Sequence, residues 1–212
     1  MIQAWHFSNG HPRNDPDTKI VPGLHLTVDP DRLVMCKYGL HGSVRLIDAL
    51  RYAPGAVLSR VELSGRILED TNKYVASERT HIAIEDVTRT LHEFAIWCAE
   101  QALALIDNPD PRSLEALHIK RLWLDGKATD DKLTAARDAA DAATNTAWAA
   151  TKAARDAAGA MVTDAAHAAA WATWAATGVV AQDVARAMQN DKLTEIVMAL
   201  PEFVGLTNAH PG

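Results

Sequence analysis

The densest group of side chains suited to chemistry is Lys37-Tyr38-Gly39-Leu40-His41-Gly42-Ser43, followed by an apolar helical pattern and then Tyr52-Ala53-Pro54-Gly55. Gly39 and Gly42 permit close backbone approach. A helix beginning after Ser43 would aim its free N–H groups at an anion. Gly39, His41, Gly42 and Ser43 are therefore the first-choice ligand-binding residues. A strand-to-helix turn that needs glycine for its geometry accounts for the same pattern without a ligand, and Ser43 is also a preferred type of helix N-cap.

The chain contains nine histidines, and His25, Cys36 and His41 invite comparison with a metal centre. They fall on different elements at no recognised ligand spacing, so no metal site is expected. His81 and His92 flank the start of the first long helix and read as surface or boundary positions. The sequence lacks G-x-S-x-G, H-E-x-x-H, G-x-x-x-x-G-K and G-x-G-x-x-G, which removes several large enzyme classes. A dispersed catalytic site is left open, and a binding role is favoured over catalysis.

Two kinds of element must position these residues. Strands are expected at Ile2 to Phe7, Gly23 to Val28, Leu33 to Tyr38 and Ala56 to Leu63, the last from alternation of Val57, Ser59, Val61 and Leu63 with Leu58, Arg60 and Glu62. A short helix, VRLIDALRYA, lies between the latter two and ends at Pro54-Gly55. From Ile84 the period lengthens. Val87, Leu91, Phe94, Ala95, Cys98, Ala102 and Leu105 mark an amphipathic helix up to Asn108-Pro109, and SLEALHIKRLWL marks a second.

Residues 130 to 158 read as one long helix, with Gly159 and Gly178 as interruptions before two further helical segments that end near Pro201. AARDAA at residues 135 to 140 recurs at 153 to 158, a separation of about five helical turns. Alanine is the strongest helix former and lets helices approach closely. Trp148, Met161, Trp171 and Trp174 are expected to fill the larger gaps in such a core. The fold expected is α+β: a small mixed module over residues 1–84 packed on an Ala-rich helical bundle over residues 85–212.

The 212 residues are 48% hydrophobic and 23% charged, the balance of a folded globular chain. The net charge of −6 is concentrated in the helical half, so neither half has the basic character of a nucleic-acid-binding surface. Two distant cysteines suggest no disulfide framework or structural zinc, and a cytoplasmic setting is expected. No signal segment or membrane span is read from the sequence. Ala-faced helices leave homo-oligomerisation, and a purely structural assembly role, open.

The succession AWHF, MCKYGLHGSVRLIDALRYAPGAVLSRVELSG and NKYVASERT resembles the amino-terminal domain of an uncharacterised family encoded mainly by phages and prophages. The stretch IWCAEQALALIDNPDPRSLEALHIKRLWLDGK and the helices after it are similar to a helical family of immunity proteins of bacterial toxin systems, the match centring on Pro111 to Leu117. These resemblances imply a phage-type accessory protein that inhibits a host-defence or toxin component, or sequesters a small nucleotide-like ligand. The expected partner is accordingly a host or toxin protein, or that ligand. A further resemblance, to ADP-ribosyltransferases, implies an NAD-using enzyme. On that alternative His6 holds a ribose, Ser43 marks the strand end before a helix, Tyr52 stacks on nicotinamide and Glu62 stabilises the cationic transition state.

Overall fold

The computed structural model describes residues 1–142, 148–157, 159, 163–175 and 179–206. Met161 and Gly178 lie outside the described residues, as do the side chains of Trp148 and Trp174; Trp171 is half-buried. The fold is α+β, an antiparallel sheet with α-helices, and it divides into two compact units. One comprises Met1–Val87 with Leu193–Gly212, the other Thr88–Lys192.

In the sheet unit the strands are β1 (Ile2–Ser8), β2 (His25–Thr27), β3 (Leu40–Gly42), β4 (Val57–Asp70) and β5 (Lys73–Asp86). They run in the order β1-β4-β5-β2, with β3 also paired to β5. β4 and β5 form a long hairpin whose ends meet at the Asp70–Lys73 pair, and their register shifts between Ser64 and Ile67. Gly65 stands at that shift with φ +71, a conformation that glycine adopts without steric cost. β1 lies along β4, from Ile2 opposite Leu63 to Ser8 opposite Val57. Because cross-strand partners share a sheet face, Ile2, Ala4 and His6 stand on one side with Leu63, Val61 and Ser59. Gln3, Trp5 and Phe7 stand on the other with Glu62, Arg60 and Leu58.

Several local expectations give way here. Leu33 to Tyr38 is no strand: a 3₁₀ turn at Pro30–Arg32 leads into a loop closed by the Val34–Tyr38 bridge. Cys36 in that loop has φ 64, outside strand geometry. The short helix α1 spans only Leu46–Leu50, and its N-cap is Arg45 without a side-chain cap bond. Ser43 instead bridges to β1, donating its N–H to Trp5 O (3.0 Å) and accepting from Trp5 N (2.8 Å). Tertiary pairing thus takes the backbone groups that capping would have used.

The carboxy-terminal segment also joins this unit. Leu193, Val197 and Phe203 are fully buried, and the Phe203 ring meets Trp5 edge-on at 5.4 Å. Arg60 covers Trp5 at 4.6 Å. The expected 85–212 bundle therefore loses its last stretch to the sheet unit.

The helical unit contains α2 (Thr88–Leu103), α3 (Pro111–Leu124), α4 (Asp130–Asp141), α5 (Trp148–Ala157) and α6 (Thr163–Ala175), with α7 (Val179–Met198) carrying the chain onward. Local chemistry sets the starts: Asp110 accepts from Arg112 N ahead of Pro111, and Thr129 accepts from Lys132 N. Buried alanines, among them Ala95, Ala99, Ala153, Ala154, Ala165 and Ala168, line α2, α5 and α6. Residues 130 to 158 are not one helix. Lys152 Nζ donates to Asp141 Oδ1 at 2.6 Å, whereas a continuous helix would hold those residues roughly 16 Å apart along its axis. No helix among the described residues is long and apolar enough to cross a membrane.

Candidate functional site

Polar groups collect on one face of the sheet. His6 on β1 is opposite Ser59 on β4, while Val61 and Leu63 of β4 are opposite His81 and Arg79 of β5. The four polar residues therefore share the face of Ala4 and Val61. The His6 and His81 rings lie 6.2 Å apart, edge to face. β3 brings His41 to this cluster, where Arg79 Nη1 donates to His41 O at 2.9 Å.

Arg79 is 4% exposed and His81 and Ser59 are fully buried, yet Arg79 Nε, both ring nitrogens of His81 and Ser59 Oγ have no hydrogen-bond partner among the described residues. Such groups are rare in folded proteins because each costs its lost hydration. The electrostatics carry one sign. Burial lowers the Arg79 pKa to about 10. Burial and the Arg79 charge push His81 down to about 3. His6 is held well below its ordinary value by burial, then by Arg79, His81 and His41. His41 is lowered by burial and by Lys73, Arg79 and Arg13, against a raising bond to Gly39. Among the described residues no carboxylate pairs with Arg79.

His41 is fixed as a neutral ring. Its Nε2 accepts from Cys36 N (3.2 Å), so Nδ1 is the nitrogen that donates, to Gly39 O at 3.2 Å. The loop before β2 is tied to the same place, with Gly23 N donating to His81 O (2.7 Å) and His81 N to Leu24 O (2.9 Å).

The residues expected to bind a ligand take different places around this cluster. His41 belongs to it. Gly39, at φ +131, fits against Val75 and Leu33, where a Cβ would lie 2.3 Å from Val75 Cγ2. Gly42 packs against Ala4, and Ser43 is the bridge to Trp5. With α1 a single short turn capped by Arg45, the expected anion-holding helix start after Ser43 is not formed. Of the residues implied by the transferase resemblance, only His6 stands in the cluster. Glu62 is on the opposite face, accepting from Gln3 Nε2 at 3.1 Å. Tyr52 is half exposed at the hairpin tip, bonded to Asn72 Oδ1 (3.1 Å) beneath Lys73 Nζ at 4.3 Å.

Sequence reasoning missed Ser59, Arg79 and His81 as site residues. β5 lies outside the strands expected from sequence, and His81 is fully buried on it where a surface or boundary position is expected. No alternation of polarity sets this stretch apart, since Ser77, Arg79 and His81 interleave with Glu78 and Thr80.

A second polar centre lies inside the helical unit. Lys120 is fully buried, donates to Gly159 O at 2.5 Å and lies 4.1 Å from the Trp123 ring. Burial lowers it to about 8 despite Asp164. His92, also expected near the surface, is 3% exposed and is lowered to about 4 by burial and by Lys120. Its ring meets Trp123 edge-on at 5.6 Å. Cys36 and Cys98 are both free, and no cluster of metal-ligating side chains occurs among the described residues.

Fold and site together define an α+β chain whose sheet unit carries a buried polar cluster around one cation, Arg79, with no acid paired to it among the described residues. Comparison with protein-family models, with curated proteins and with solved structures gives no match to this chain.

Proposed function

We propose that this chain acts by binding, its sheet unit capturing a small anionic, nucleotide-like ligand on His6, Arg79 and His81. The observation that carries the reading is Arg79, a buried guanidinium whose one partner among the described residues is a backbone carbonyl. A buried charge is tolerated when it is paired, so an anion supplied from outside is the natural counter-charge. Nη1 is engaged by His41 O, which leaves the side-on edge of the guanidinium, Nε and Nη2, to grip two oxygens of an acid group. Sequestering such a ligand is one form of the accessory role that the phage-family resemblance implies.

The NAD-using alternative draws less support. His6 stands in the cluster, but Glu62 projects from the other face of the sheet and would not reach a cation formed beside His6.

The test is thermal unfolding of the full chain at low ionic strength with inorganic phosphate, AMP, NAD or citrate. A ligand present at about 100 times its Kd adds about 2.7 kcal/mol of stability. At least one of these anions should raise the Tm of the wild-type protein and leave Arg79→Met unmoved. The reading fails if none does, or if the variant responds equally.

A further inference from the structure

We infer that the ligand of this site is a phosphoryl dianion, bound with uptake of one proton by the histidines that surround Arg79. The inference rests on the anion-binding reading and goes beyond it in naming the acid group and its proton partner.

The groups facing His6 are Arg79 and His81 of β5 and His41 of β3. Those facing His41 are Lys73 and Arg79 of β5 and Arg13 of the loop before β2, and those facing His81 are Arg79 of β5 and His6 of β1. None is an acid. In this cluster one cation, Arg79, stands among imidazoles that its charge and their burial keep neutral.

A monocarboxylate would cancel Arg79 and leave no reason for an imidazole to charge. A dianion would leave one negative charge over in a desolvated place, and a nearby opposite charge favours the protonated imidazole. A dianion, Arg79 and one imidazolium are together neutral, so burial penalises the complex least in that state.

The donors also suit a tetrahedral group. Arg79 Nε, the Ser59 hydroxyl and the His81 ring are all without partners among the described residues, and His6 stands beside the His81 ring and opposite Ser59. Planar carboxylate oxygens are satisfied by the guanidinium edge alone, whereas a phosphoryl group has further oxygens for the hydroxyl and imidazole donors.

The experiment is calorimetric titration of the full chain at pH 6 and pH 7.5, each in two buffers of different ionisation enthalpy. The probes are sulfate, inorganic phosphate, AMP and acetate. Sulfate stays a dianion throughout, so any proton taken up with it goes to the protein. Expected are uptake approaching one proton with sulfate at pH 6 and affinity rising by up to about tenfold per pH unit lowered. Acetate should bind far more weakly and without uptake.

His6→Gln and His81→Gln should each still bind sulfate, with the proton count reduced in at least one of them. If AMP binds more tightly than inorganic phosphate, the source is a nucleotide; the reverse order points to free phosphate, and either agrees with a phosphoryl ligand. Sulfate and phosphate binding with no proton uptake, or acetate binding as tightly as they do, overturns the inference and leaves the anion-binding reading standing. No binding of any probe overturns both.

Discussion

Replacing Arg79 by methionine keeps most of the side-chain length and removes the charge. Burial lowers the Arg79 pKa to about 10, well below that of an ordinary guanidinium, and at about 1.36 kcal/mol per pH unit this is a desolvation cost of about 3 kcal/mol. The folded-state value lies below the unfolded one, so both states are protonated below about pH 10 and the whole cost is present at neutral pH. Opposing it is the single bond to His41 O at 2.9 Å, a charge-assisted contact of roughly 1.5–3 kcal/mol. The two nearly cancel, and Arg79→Met should be as stable as the wild type or more stable by about 1 kcal/mol. An arginine locked in a structural ion pair behaves differently, since breaking such a pair costs roughly 3–5 kcal/mol. Urea unfolding of both proteins measures the difference as a change in midpoint at unchanged slope. A fall in midpoint worth more than about 2 kcal/mol would refute the reasoning, because Arg79 would then hold the sheet together rather than wait for a ligand.

Three other perturbations test the packing. Lys120 has its pKa lowered from 10.5 to about 8, so its burial cost is complete below about pH 8 and is relieved as pH rises towards 10.5, where the folded state has lost a proton that the unfolded state keeps. Urea midpoints between pH 7 and pH 10 should therefore rise in the wild type relative to Lys120→Met, and parallel profiles would count against a buried ammonium. Gly39→Ala places a methyl 2.3 Å from Val75 Cγ2 and 2.7 Å from Leu33 Cδ2 at φ +131. Overpacking and strain together should cost about 3 kcal/mol, read by the same unfolding assay. Phe203→Ala removes a fully buried ring from the Trp5 edge and should destabilise by roughly 3–5 kcal/mol. A Trp5 fluorescence signal unchanged by that substitution would show that the carboxy-terminal segment does not cover β1.

Much of the helical unit was legible from the chain alone. Asp110-Pro111 and Thr129 start helices by contacts within a few residues, and alanine favours a helix wherever it stands. β1 followed from its strand-favouring residue types and the core of β4 from period-two alternation. The same local reasoning extended residues 130 to 158 into one helix, because nothing nearby in sequence announces that Lys152 will reach Asp141.

Elements and roles set by distant partners were another matter. β5 carries polar residues on both faces, so alternation of polarity does not mark it, and its existence depends on pairing with β4, β3 and β2. Ser43 looks like a cap until Trp5 takes its backbone groups, and residues 193 to 206 look like the end of a bundle until Phe203 meets Trp5. The sequence by itself determined an α+β chain with an alanine-rich helical part and placed His6 and His41 among the residues worth watching. Only the tertiary structure set Arg79 and His81 beside them and Glu62 on the far face. The physical reason is that a side chain's face is fixed by strand register, and register is a property of pairs of segments far apart in the chain.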